Sequence, residues 1–227
     1  NHSVTVESVN KSIPSKDGEN KATDLPVELS LDALPMVEID KEKLKALGIV
    51  AQGDQERVAT RQFREIKRSL LSKLNELESE QNQGLQKLVM LTSALPGDGK
   101  TFTTLNLALN LALEKDITVI LVDGDVAKPH ISALLNCADS RGLLDLVADA
   151  SVTLKDVVYK TNVPSLYFIP AGERTEQANE LMSGSRMKEV LSQLATIQKN
   201  CLIIFVVPDL NLSRTFIICC VLPFKNS

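Results

Sequence analysis

The chain has 227 residues, 44% of them hydrophobic, enough for one sizeable α/β domain with an extension. Its net charge of −4 gives no global pull toward nucleic acid or an anionic membrane, and no apolar run approaches the ~20 residues that a membrane span needs. Cys137, Cys201, Cys219 and Cys220 form no CxxC pair and no zinc spacing; three lie in apolar runs, so they read as buried thiols of a reducing cytoplasm.

The opening carries no signal-peptide pattern, and the chain starts at Asn1 rather than Met, so a fragment is expected. Residues 1–52 are read as a disordered or linker segment, because the first 40 are rich in Ser, Lys, Glu and Asp and show no period. A basic amphipathic helix is predicted within 53–84. Phe63, Ile66, Leu70, Leu74 and Leu77 recur at three- and four-residue steps, with Arg57, Arg61, Arg64 and Arg68 on the other side. A domain is expected over 85–207. Apolar strands at 88–91, 117–122, 166–169 and 201–207 alternate with helical patterns at 102–113, 131–135, 143–148, 176–182 and 186–197. This order implies an α/β fold with a mostly parallel sheet covered by helices on both faces. Residues 208–227 read as an atypical tail with no alternating pattern, and the C-terminal strands of the sheet are expected to be missing.

Between the first strand and its helix lies SALPGDGKTFTT, residues 93–104. The phosphate-binding loop pattern is a small residue, four spacers, then Gly-Lys-Ser/Thr; Ala94 takes the first place and Gly99-Lys100-Thr101 completes it. Pro96, Gly97, Asp98, Gly99, Lys100, Thr101 and Phe102 are the candidate nucleotide-binding residues. Gly97 and Gly99 let backbone N–H groups turn inward, and the helix adds its positive end. Lys100 can reach the β- and γ-phosphates and the Thr101 hydroxyl can ligate Mg²⁺. A glycine-rich turn with a chance Lys-Thr is the plain alternative; a buried strand before the loop and an amphipathic helix after it favour phosphate. The next strand ends VDGDVAK, placing Asp123 and Asp125 where parallel strands face a ligand crevice. Two apart in an extended segment, they are expected to point the same way, to hold Mg²⁺ or to take a proton from a nucleophile.

SALPGDGKT followed by ILVDGDVAKPHIS resembles the bacterial tyrosine kinases of the BY-kinase family. The likeness continues through RGLLDLV (141–147), IPAGE (169–173) and NELMSGSRM (179–187). QFREIKRSLL (62–71) is similar to the helix before the domain in the subgroup associated with exosortase and PEP-CTERM exopolysaccharide loci. The resemblance implies a P-loop NTPase fold related to partition and septum-site ATPases, ATP and Mg²⁺ as cofactors, and phosphoryl transfer to tyrosine. By matching position Lys100 would bind phosphate, Thr101 and Asp123 would serve the metal, and Asp123 and Asp125 would activate the tyrosine hydroxyl. It also implies a protein tyrosine substrate, a membrane-bound chain-length partner in polysaccharide export, and a cytoplasmic place at the inner face of the membrane. Partition-type ATPases carry an extra lysine at the position of Leu95, so Leu95 favours the kinase.

The chain also departs from that family. CLIIFVVPDL sets Val206 where an aspartate is expected, and Asp209, three residues on beyond Pro208, reads as a poor substitute. A truncated or frame-shifted reading after about Phe205 would account for the tail. Only Tyr159 and Tyr167 are present, so no tyrosine cluster is available. The family's Glu-x-x-Arg-x-x-Arg oligomerisation pattern would align at Arg61, Arg64 and Lys67, with Arg for Glu, so weak assembly is expected. The alternative reading is a catalytically impaired ATP-binding regulator or remnant.

Overall fold

Apolar runs that lack polar alternation fold as strands only if both of their faces are covered. The structure, a computed structural model, shows this arrangement over residues 34–49, 58–80, 86–197, 200–209 and 217–224. In chain order the elements are β1 (Met36–Val37), α1 (Lys41–Ala46), α2 (Val58–Glu80), β2 (Gln86–Ser93), α3 (Lys100–Leu111), β3 (Thr118–Asp123), α4 (His130–Leu134), α5 (Leu143–Ala148), α6 (Leu154–Val157), β4 (Tyr159–Thr161), β5 (Leu166–Ile169), α7 (Ala178–Ser183), α8 (Ser185–Thr196), β6 (Cys201–Val206) and β7 (Ile217–Phe224).

Among the described residues the strands form one sheet in the order β1-β4-β5-β3-β6-β2-β7. The four at the centre, β5, β3, β6 and β2, are parallel; β4 runs antiparallel to β5 and β7 antiparallel to β2. The period of two along a strand divides the core cleanly. Val119, Leu121, Leu202, Ile204 and Val206 face the layer that holds Leu70 and Leu74 of α2 and Leu105 and Ala108 of α3. Ile120, Val122, Ile203 and Phe205 face Leu143 and Leu146 of α5 and Val190 and Leu194 of α8. The expected α/β architecture is therefore present, with helices on both faces.

The expected stripe of the basic helix lies inward at Phe63, Leu70 and Leu74, with Ile66 packed beside them. Arg61, Arg64 and Arg68 are exposed. Lys67 is not part of a free basic face: its Nζ donates to Glu114 at 2.6 Å and to the Asn110 carbonyl at 3.4 Å, fastening α2 to the end of α3. Arg57 and the side chain of Leu77 lie outside the described residues.

Two expectations require correction. Residues 34–49, inside the segment read as linker, form β1 and α1, and Leu44 and Ile49 join the core. β1 has two residues and α1 six, too short for a period to be legible. Their anchors are also remote: Asn162 exchanges two hydrogen bonds with the backbone of Ile39, and Lys43 donates to the carbonyl of Leu134. Residues 1–33 and 50–52 lie outside the described residues. The tail read as patternless contributes β7, paired along β2 from Gln86↔Phe224 to Ser93↔Ile217. An apolar run without alternation is what such a strand presents; its Pro223 is tolerated because an edge strand pairs on one side only.

Candidate functional site: a phosphate-binding loop with three carboxylates

The carboxyl ends of β2, β6 and β3 lie side by side, and the site sits on the loops that leave them. After β2 the loop turns through Gly97 (φ 88°) and Gly99 (φ 90°). A Cβ at either position would meet nothing within 4 Å, so the glycines serve the left-handed backbone rather than a tight fit. Asp98 braces the loop internally: its carboxylate accepts the Leu95 N–H at 2.9 Å. Gly99 caps α3, whose first-turn N–H groups have no intrahelical acceptors and point out of the helix end.

Lys100 opens α3, and its amine is almost enclosed, with the side chain 9% exposed. It donates to Asp125 Oδ2 at 2.8 Å and to Asp209 Oδ1 at 2.9 Å. Asp125 also accepts the Lys128 N–H at 3.2 Å, which turns the chain toward α4. Pro96, Gly97, Gly99, Lys100, Thr101, Phe102, Asp125 and Asp209 line one cleft of about 370 Å³, with Leu47 and Ile49 also in its wall. A larger cleft of about 830 Å³ adjoins it at Lys128 and His130 and extends to Arg141 and Arg174.

The two aspartates of β3 do not share a target. Asp123 is fully buried and does not line the cleft; its Oδ2 accepts both the N–H and the hydroxyl of Ser132 at 2.8 Å. The expectation that both point the same way assumes an extended chain, but β3 ends at Asp123, and Gly124 packs against Phe205 and the Val206 carbonyl. Burial raises the carboxyl pKa of Asp123 above the ordinary value; the Ser132 hydrogen bonds oppose that shift, and the charge of Asp125 adds to it. Asp123 Oδ1 is buried with no hydrogen-bond partner. Ser132, absent from the sequence reading, links the pair to the sheet by accepting the Ala171 N–H at 3.0 Å.

Asp209 is the residue the sequence reading set aside, and the structure places it beside Lys100. Val206, at the strand end, is buried and sits opposite Asp123 in register. The chain then keeps running along β2: Val207 N–H donates to the Leu91 carbonyl at 3.0 Å and the Thr92 hydroxyl donates to the Pro208 carbonyl at 2.7 Å. Those two bonds carry Asp209 to the loop, where it accepts the Ser93 hydroxyl at 2.5 Å as well as Lys100. Partial desolvation acts to raise its pKa, but the hydrogen bonds from Ser93 and Lys100 and the charges of Lys100 and Lys128 prevail, so the carboxyl lies below its ordinary value. A Pro-Asp pair directly after a buried strand was the available signal.

Among the described residues no group of three or more His, Cys, Asp or Glu side chains is arranged to hold a metal. Mg²⁺ ordinarily binds through one or two carboxylates and substrate phosphates rather than in an all-protein cage. The oxygen donors of Thr101, Asp125 and Asp209 around one cleft fit such an ion.

No protein-family model matches the chain. It is 34% identical over 123 residues to the putative tyrosine-protein kinase EpsB of Ralstonia nicotianae, covering 54% of this chain and 16% of that protein. It is 29% identical over 142 residues to the tyrosine-protein kinase YwqD of Bacillus subtilis, covering 63% of this chain and 56% of YwqD. Among solved structures, the VpsO kinase domain is 32% identical with a TM-score of 0.51, over 66% of this chain and 72% of that domain. The BceF tyrosine kinase domain, 24% identical with a TM-score of 0.59 over 78% of this chain and 70% of that one, shares the fold. The chain thus spans about a sixth of the first of these curated relatives and just over half of the second.

Proposed function

We propose that this chain, which belongs to the bacterial tyrosine kinase family, binds MgATP at its phosphate loop and transfers the γ-phosphoryl group to a tyrosine hydroxyl. The observation that carries the proposal is the placing of the Lys100 amine against Asp125 and Asp209 at the mouth of the glycine loop. Lys100 and the loop N–H groups bind the β- and γ-phosphates, and the α3 N-terminus adds its dipole. Thr101, Asp125 and Asp209 would hold Mg²⁺, which would supply charge neutralisation for the phosphates.

Asp125 lines the cleft, so it is better placed than Asp123 to take the acceptor proton. The tyrosine oxygen forms its bond to the γ-phosphorus as the bond to the β–γ bridging oxygen breaks; the phenolic proton passes to the Asp125 carboxylate and ADP leaves. Asp123 acts from behind by holding Ser132. The adjoining cleft at Lys128 and His130 is the side from which an acceptor segment would enter. A link to exopolysaccharide export, a membrane-bound chain-length partner and a place at the inner membrane face follow from the family and belong to the same proposal. Among the described residues no helix is long and apolar enough to cross a membrane.

The second reading, ATP binding with impaired chemistry, draws on Val206, whose buried side chain offers no carboxylate at the end of β6. One experiment separates the two. The chain and its Lys100→Met variant are titrated with a fluorescent ATP analogue, then given labelled ATP and a tyrosine peptide. Binding and labelling by the chain, both lost in the variant, are expected. Binding without labelling leaves the regulator; equal binding by both proteins refutes the assignment of the loop.

A further inference from the structure

We propose that Asp209 is the third working carboxylate of the site: it competes with phosphate for Lys100, and once displaced it serves the nucleotide-borne cation. The proposal rests on the nucleotide reading above. Three observations carry it. Asp209 bonds directly to the phosphate-binding lysine at 2.9 Å. Its approach is built, not incidental, because Val207, Pro208 and Asp209 are each tied to β2, through Leu91, Thr92 and Ser93. And Val206, which ends the strand itself, is 2% exposed and apolar, so Asp209 supplies the carboxylate at the β6 end of the cleft.

The consequence follows from charge. A polyphosphate entering the loop draws the Lys100 amine toward its oxygens and sets its own negative charge against Asp125 and Asp209. Without a divalent ion that approach is repulsive and must break two charge-assisted hydrogen bonds. With the ion, the Asp209 oxygen that loses Lys100 gains a new cation, while Ser93 continues to aim it. Asp209 is therefore a positioning residue that makes nucleotide affinity depend on the divalent ion.

The test measures the ATP dissociation constant of the full chain in excess EDTA and in excess Mg²⁺. Its readout is the ratio of the two constants for the parent, Asp209→Asn and Asp209→Glu, with melting curves confirming the fold. Asp209→Asn should bind ATP more tightly in EDTA, and the gain conferred by Mg²⁺ should shrink on the order of tenfold, the scale of one charged hydrogen bond. Asp209→Glu, which keeps the charge, should retain most of that gain. An equal ratio in the parent and Asp209→Asn overturns the inference and leaves nucleotide binding standing. A parent that binds no nucleotide overturns the functional reading and this inference with it. Should Asp209→Asn fail to fold, Ser93→Ala, which removes the hydroxyl that aims Asp209, is measured in the same way; an unchanged ratio there refutes the proposal.

Discussion

Lys100 and Asp209 lie 109 positions apart in the chain and form an ion pair of 2.9 Å. With Asp125 on its other side at 2.8 Å, the amine sits between two carboxylates whose side chains are only 8% and 16% exposed.

Lys100 is thus a structural counter-ion as well as the proposed phosphate ligand, and its removal should cost stability. Replacing it by Met leaves two largely enclosed carboxylates unpaired, and breaking such a pair costs about 3–5 kcal/mol when fully buried, so a loss near the lower end is expected. Thermal melting should show the drop. Adding Asp209→Asn to Lys100→Met should recover part of it, with a coupling of about 0.5–3 kcal/mol. An unchanged melting temperature in Lys100→Met would mean that the ion pairs contribute nothing in solution.

Acid should expose Asp209 and Asp123 in opposite directions. Asp209 is held below the ordinary 3.8, so its contribution is complete above that pH and is lost as pH falls through its folded value. Asp123 is raised above 3.8, so its contribution is complete below that pH and is lost as pH rises through its folded value. Urea unfolding of the parent and of Asp209→Asn across the acid range should give a flatter decline below pH 3.8 in the variant. Asp123→Asn should remove the opposing slope above 3.8. Identical pH profiles for all three proteins would contradict both assignments.

Gly124, directly after β3, should not accept a side chain. A Cβ on Gly124 would lie 2.6 Å from the Val206 carbonyl oxygen and closer still to the Phe205 ring, so Gly124→Ala must push Asp125 away from Lys100. Overpacking of this kind costs about 1–3 kcal/mol. The expected result is a lower melting temperature together with weaker ATP binding; weakened stability with unaltered binding would separate Gly124 from the site.

Helix α2 offers two separable tests. Lys67→Met removes the clamp to Glu114, whose side chain is 40% exposed, so a loss of at most about 1 kcal/mol is expected from denaturant melting. Among the described residues Arg61 forms a loose 3.9 Å pair with Glu65, and it is well exposed. A weakly assembling chain is predicted at physiological salt, with Arg61→Glu promoting assembly in light scattering. A stable ring formed by the parent at micromolar concentration would contradict this.

The thiol of Cys201 should be inert while the protein is folded. Burial pushes its pKa up to about 12, so the reactive thiolate is scarce at neutral pH. Cys137 is also raised by burial, less opposed by its hydrogen bond with Ser140 than its solvent exclusion demands. Alkylation followed by mass spectrometry should label Cys201 only as fast as the protein unfolds; rapid labelling in native buffer would show that β6 opens.

Much of the molecule was determined locally and could be read without a structure. The β-branched runs of β3 and β6 need cover on both faces, whatever surrounds them. Gly97 and Gly99 mark left-handed backbone between a strand and a helix, which is the setting the loop motif predicts. The tertiary structure decided which carboxylates reach that loop. Asp123 and Asp125 lie two apart in sequence, yet β3 ends between them, and one meets Ser132 and the other Lys100. Asp209 gains its place because the ends of β2 and β6 lie side by side and three hydrogen bonds draw the chain along β2. α1 and β1 were hidden for the same reason: elements of six and two residues owe their stability to groups more than 90 positions away. Period and propensity act over neighbouring residues, whereas a counter-ion is chosen by which strand ends the sheet brings together.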